Sequence, residues 1–337
     1  MNANLTSALI KRIFTVSFIL LLLLFFAMVL GLSEGSTGGG FSAIWRSLNP
    51  SNADDAMLAS IIWKIRLPRV LVAALVGAAL SSGGLVFQAL LKNPLAEPYI
   101  LGISGGAAIG AIIGILLGLS RFPGVNLTAF SGSITTLLLI LLMASGKSIL
   151  IKDALLLSGV MVNAFCSAVI MFLISLTQDA RLHNIMFWLM GDLSSSDLHQ
   201  VGILSILLLP CFVVIFRYSN IMNILLLGDE LALTMGIHIK RVTLILLTTT
   251  TFMISATVSH CGLIGFVGLV IPHLLRMILG PDHRILVPAC LLGGGAYMVF
   301  CDLLARVLPA QGEMPAGVIT ALIGAPLFII LLKKTAS

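Results

Sequence analysis

The sequence predicts an all-α, polytopic membrane protein with about ten transmembrane helices, both termini cytoplasmic, and residues 1–337 as a single transmembrane domain. Three observations carry this. Mean hydropathy is +1.14, with 59% hydrophobic and only 9% charged residues. An ordinary soluble domain carries about 25% charged residues, so this apolar surface must face lipid. Second, the chain breaks into apolar runs near the length of about 20 residues that a helix needs to cross a bilayer. Third, no stretch alternates apolar and polar residues as a strand would.

The runs are taken in order. The first, about 13–32, follows Lys11-Arg12 and resembles a secretory signal. It is longer than a signal's apolar region and no A-x-A cleavage site follows, so it reads as an uncleaved first helix. The others fall at roughly 66–90, 99–118, 127–145, 154–176, 201–216, 242–259, 263–279, 285–305 and 315–332. Outside them lie short loops and two longer links, 33–64 and 217–241.

Orientation follows from the lysines and arginines of the loops. With the N-terminus inside, Lys11, Arg12, Lys92, Lys147, Lys152, Arg217, Lys240, Arg241, Arg276, Arg284, Lys333 and Lys334 are cytoplasmic. Arg46, Lys64, Arg66, Arg69, Arg121, Arg181 and Arg306 are outside, giving twelve against seven. Four outer cations crowd around the start of the second run and call for a separate reason.

In the third run, Gly102, Gly106, Gly110, Gly114 and Gly118 recur at every fourth position. Such a ladder lets neighbouring backbones approach in lipid. Each step of four drifts the stripe by about 40°, so different helices are expected to cross its two ends.

Several function classes are excluded. The basic residues lie singly or in pairs with no basic stripe, which argues against nucleic acid. Gly146-Lys147-Ser148 lacks the glycine five residues earlier that a phosphate loop requires, since position 141 is Leu141. There is no HExxH and no group of carboxylates within a run, so no catalytic role, cofactor or metal site is assigned. Cys166, Cys211, Cys261, Cys290 and Cys301 have no metal-ligand spacing and read as buried free thiols. Asp302 is the one acid within a run. That scarcity argues against a stand-alone ion-coupled secondary carrier, the rival reading, because such carriers place ionisable groups at mid-membrane.

The stretch "KIRLPRVLVAALVGAALSSGGLVFQALLKNPLAEPYILGISGGA" (64–107) resembles the permease subunits of ATP-binding-cassette importers for iron–siderophores, haem and cobalamin. So do "LLLGDELALTMGI" (225–237), "GLIGFVGLVIPHLLR" (262–276), "DHRILVPACLLGGG" (282–295) and "EMPAGVITALIGAPLFIILL" (313–332), in the same order. The resemblance implies a cobalamin-permease-like fold acting as a homodimer in the bacterial inner membrane. It implies two cytoplasmic ATP-binding subunits and an extracytoplasmic substrate-binding protein as partners. The resemblance implies a metal chelate as cargo, iron–siderophore first, haem or cobalamin otherwise.

By the same resemblance Arg66, Arg69 and Arg306 receive acidic side chains of the binding protein. Leu227, Gly228, Asp229, Glu230, Leu233 and Gly236 belong to the coupling segment (about 217–241) that docks on the ATPase. Ser158, Met161, Val162, Asn163 and Phe165 line the translocation pathway; Asn93, Ser145, Lys147 and Ser148 gate its inner end. His260-Cys261 departs from the small apolar residues usual at that turn and reads as a turn residue beside a buried thiol. His273 is expected to bond backbone near the inner face, and Asp282 with Arg284 to fix the adjacent turn.

Overall fold

A computed structural model describes residues 2–35, 40–48, 52–97, 99, 102–144, 151–177, 179–309 and 312–336. Every regular element among them is helical. The helices are α1 (Asn2–Ser33), α2 (Phe41–Leu48), α3 (Ala53–Ile61), α4 (Leu67–Leu91), α5 (Ile103–Leu116), α6 (Asn126–Ala144) and α7 (Ile151–Ser175). They continue with α8 (Asp179–Met190), α9 (Leu198–Arg217), α10 (Ser219–Leu227), α11 (Asp229–Thr234), α12 (Ile239–Cys261), α13 (Val267–Leu279), α14 (His283–Val307) and α15 (Ala316–Ala336). Among the described residues, each of the ten apolar runs overlaps a helix. Seven helical segments are long and apolar enough to cross a membrane, and Ile103–Leu116, Val267–Leu279 and Ala316–Leu331 are shorter apolar helices.

The links hold more structure than the sequence suggested. The 33–64 link contains α2 and α3, and a π-helical turn at Ile62–Arg66 runs α3 into α4 without a break. Helix α8 falls where the sequence predicts a short loop: its twelve residues, Arg181, His183 and Asn184 among them, are too few and too polar to make a span. The 217–241 link folds as α10 and α11, separated at Gly228.

Helix α4 is the hub. It is apolar around nearly its whole circumference and almost entirely buried, as a helix surrounded by others must be. Around it pack α1, α9, α12, α13 and α14, the last most extensively. Helices α5, α6 and α7 form a second group joined to the first through α12, and α15 rests on α13 and α14. Backbones meet where side chains are smallest. A methyl group on Gly77 would overlap the Gly294 carbonyl, and one on Gly84 would overlap the Gly268 backbone. The Ser81 hydroxyl donates to the Cys290 carbonyl, a further tie between α4 and α14.

The glycine ladder packs differently from the expectation. Gly106, Gly110 and Gly114 all face α6, against Thr136, Gly132, Thr128 and Val125. Two steps drift the stripe by only about 80°, which one crossing helix can follow. The outer members are helix ends rather than rungs. Gly102 (φ +67°) lies against Val162 of α7, whereas nothing lies near Gly118 (φ +72°). Both have left-handed backbones that a side chain would strain.

Candidate functional site

The chain's unusual polar residues gather at the two opposite ends of the α4–α14 pair. At the first end, the last turn of α1, the start of α4 and the close of α14 converge. Arg66, Arg69 and Arg306 are there only 4%, 4% and 3% exposed, and Asp302 is fully buried. Arg69 Nε donates to Asp302 Oδ1 at 2.8 Å, and a second guanidinium nitrogen pairs with Glu313. Arg306 lies one turn after Asp302 on α14, with Nε 3.1 Å from Asp302 Oδ2. A single carboxylate thus sits between two buried guanidiniums.

The same arginines close α1. The last carbonyls of a helix lack partners within it. Arg306 Nη1 donates to the Gly31 and Glu34 carbonyls at 3.0 and 3.3 Å. Arg66 Nη1 donates to those of Leu32 and Ser33, each at 3.0 Å. The three arginines proposed from sequence for partner docking are therefore folded inward, engaged with the chain's own carboxylates and helix end. Arg306 Nη2 is buried without a hydrogen-bond partner among the described residues, one donor left over.

At the opposite end lies the 217–241 link, the segment expected from sequence to couple to an ATPase. Glycine at 228 (φ +131°) turns the chain between α10 and α11, and Asp229 and Glu230 open α11, where the helix dipole favours acids. Leu227, Leu231, Leu233 and Met235 are exposed, while Leu225 and Ala232 are buried beneath them. Gly236 (φ +78°) ends α11 with its amide donating to the Leu233 carbonyl at 2.9 Å. The result is a short apolar knob held on a buried footing. Lys92 Nζ pairs with Asp229 Oδ1 at 3.0 Å, joining the end of α4 to α11.

Asn223 is the residue at this end that the sequence reading missed. Its signal was an asparagine set among apolar neighbours, Met222 before it and Ile224 to Leu227 after it, in "SNIMNILLL". Its Nδ2 donates to Asp282 Oδ1 at 2.8 Å, and its Oδ1 accepts from the His283 amide at 2.8 Å. Asp282 also caps α14, accepting from the Arg284 amide at 3.0 Å and pairing with the Arg284 guanidinium at 2.7 Å. Burial alone would raise the Asp282 pKa, but hydrogen bonds from Arg284 and Asn223 outweigh it and hold the group down at about 2. The expected role of Asp282 and Arg284 at this turn is what their contacts describe. His273 is not as expected: neither ring nitrogen has a hydrogen-bond partner among the described residues, and the ring packs edge-on against Phe328 at 6.0 Å. It belongs to the α13–α15 packing instead.

The residues named for the pathway divide between faces of α7. Met161 and Phe165 are 60% and 67% exposed. With Val162 they line an open, apolar groove of about 710 Å³ against α5 and α6. Asn163 is exposed on the helix surface, whereas Ser158 is buried. Of the inner-gate residues, Asn93 accepts a hydrogen bond from the Leu95 amide at 2.9 Å, making a tight turn after α4. Ser145, Lys147 and Ser148 lie outside the described residues. The linker after Asn93 is pinned to the α12–α13 turn, because Glu97 accepts from the Phe266 amide at 3.0 Å and the Tyr99 hydroxyl donates to the Ile264 carbonyl at 2.9 Å. All five cysteines are buried and free, Cys261 among them beside His260.

Comparison with known proteins follows the same outline. The model of the FecCD transport family matches residues 19–334. The vitamin B12 import system permease protein BtuC of Salmonella arizonae is 41% identical over 277 residues, 82% of this chain and 83% of the relative. The Salmonella typhimurium protein of the same name is also 41% identical, over 82% of this chain and 84% of its own length. Among solved structures, an inward-facing protein assigned to the metal-chelate type of ABC transporter superposes with a TM-score of 0.84 at 33% identity, covering 95% of this chain and 99% of that one. PsaBC from Streptococcus pneumoniae shares the fold at 18% identity and a TM-score of 0.56, over 79% and 90% of the two chains. The chain therefore belongs to the FecCD transport family, the inner-membrane, multi-pass permeases of ABC importers.

Proposed function

We propose that this chain is one of two identical permease subunits of an importer that moves a bulky metal chelate into the cytoplasm. Both termini lie inside, the ten apolar helices span the membrane, ATP is hydrolysed on two separate subunits, and a soluble binding protein delivers cargo from outside. The observation that carries this reading is the apolar knob of α10–α11. Exposed Leu227, Leu231 and Leu233 stand on a buried footing at the end opposite the arginines, a surface that suits a groove on another protein. Asp229 and Glu230 beside it supply polar contacts at the rim.

Met161, Val162 and Phe165 support a pathway along α7, with Asn163 nearby. An apolar, weakly interacting wall lets a large chelate slide without trapping it. Ser158 enters only if α7 rotates, and Asn93, Ser145, Lys147 and Ser148 form the inner gate. At the outer mouth, a carboxylate of the binding protein reaches Arg66, Arg69 and Arg306 by exchanging with Glu313 and the α1 carbonyls. The arginine fork suits such an exchange, because it pairs with a carboxylate through two bonds. Iron–siderophore is the first cargo class. Cobalamin is a second reading, favoured by relatives named for vitamin B12 import at 41% identity.

Reconstitution in liposomes with the ATPase and binding protein tests the assembly. Uptake of labelled iron chelate, haem or cobalamin should require ATP and the binding protein. Uptake driven by an ion gradient without the ATPase would establish the secondary-carrier reading instead. Arg306→Lys, which keeps the charge and loses the fork, should reduce stimulation of ATP hydrolysis by the binding protein.

A further inference from the structure

The helix pair α4–α14 runs unbroken from the coupling segment to the arginine end, locked along its length by the Gly77–Gly294 approach and the Ser81–Cys290 bond. At the arginine end Arg69 of α4 grips Asp302 of α14, closing the pair. What moves one end of this rod moves the other. The coupling segment meets it at two polar points of unequal strength. Lys92–Asp229 is an exposed ion pair, of the kind that contributes little.

Asn223 is the stronger attachment. One amide donates to the Asp282 carboxylate and accepts from the His283 backbone, and the His283 ring nitrogen Nδ1 stands 2.8 Å from the same oxygen. His283 is fully buried, and Asp282 is fixed in turn by Arg284. Asn223 is thus fastened to the rigid first turn of α14. Buried Met222 and Leu225 hold α10 against the bundle as well. Apolar burial is non-directional and tolerates sliding, whereas hydrogen bonds fix register.

We propose that Asn223 is the positioning residue through which displacement of the coupling segment is delivered to α14, and by the α4–α14 rod to the arginine end. The linkage works in both directions: a binding protein pressing on the arginine end signals to the ATPase along the same path. The inference rests on the reading of α10–α11 as the ATPase-docking segment.

The test uses the full complex in proteoliposomes and reads chelate transported per ATP hydrolysed, together with stimulation of hydrolysis by the binding protein. Asn223→Asp removes the donor and sets two carboxylates face to face. It should lower the transport ratio by at least about fivefold, the small end of ordinary coupling energies. Adding Asp282→Asn restores the bond with donor and acceptor exchanged, while asparagine still caps α14. The double variant should recover the ratio, which a merely structural lesion at Asn223 would not do. A wild-type ratio in Asn223→Asp, or a double variant no better than the single one, overturns the proposal. If the single variant fails to assemble, the double variant alone decides by the same ratio. Leu231→Glu separates the underlying reading. ATPase that co-purifies undiminished with Leu231→Glu overturns the docking role, whereas lost ATPase there with a wild-type ratio in Asn223→Asp overturns only the joint.

Discussion

A carboxylate with no exposure is costly in any protein, and Asp302 is tolerable only because Arg69 and Arg306 close on it. Removing one partner of a buried ion pair leaves an uncompensated charge and costs about 3–5 kcal/mol. Asp302→Ala leaves Arg69 with Glu313 and Arg306 with backbone carbonyls in place of the shared carboxylate, so it should lower the melting temperature of the detergent-purified protein more than any exposed acid, such as Glu230, would when replaced. Equal melting of the two variants would contradict the cluster. Asp282 offers a test by pH. Its folded pKa of about 2 lies below the unfolded carboxylate value of about 3.9, so it stabilises the fold above that value. The contribution is lost as pH falls from about 4 to 2. Melting followed across that window should show a steeper decline for wild type than for Asp282→Asn.

At the scale of elements, the fold depends on where backbones touch. Helices α5 and α6 meet through Gly106, Gly110 and Gly114, and a side chain at Gly110 would run into the Thr128 carbonyl. Overpacking a tight site costs about 1–3 kcal/mol and more where backbone must move. Gly110→Leu should therefore lose folded protein in the membrane fraction, and Gly84→Ala should do so against the Gly268 backbone. Gly118→Ala strains a left-handed residue but meets no neighbour, so its loss should be smaller than that of Gly110→Leu. Folded yield by size-exclusion chromatography ranks the three. The short elements behave differently. Helices α8, α10 and α11 owe their positions to neighbours, because helices shorter than about 12–15 residues are marginal alone.

For the whole molecule, the α4–α14 pair separates an arginine end from the end that carries α10 and α11, and the proposed orientation assigns these to outside and inside. A cysteine in place of exposed Trp45 should then react with an impermeant thiol reagent in intact cells. One in place of exposed Met235 should react only after the membrane is opened. The five native thiols are buried and give little background. Reversed labelling would invert the assignment.

The sequence by itself determined the class, the helical runs and the family, because lipid demands long apolar helices and the motifs are contiguous strings. Gly228 with Asp229 and Glu230 already marked the turn between α10 and α11, since a local break and a dipole effect are written in neighbouring residues. Tertiary structure decided what depends on distant residues meeting. It buried Arg66, Arg69 and Arg306, which charge counting left at the surface, by bringing Asp302 and the end of α1 against them. It set Gly106, Gly110 and Gly114 on one partner, and it joined Asn223 to Asp282 across 59 residues. Hydrophobic periodicity fixes which residues leave water. Which polar groups then find one another depends on how the helices pack, and no local pattern encodes that.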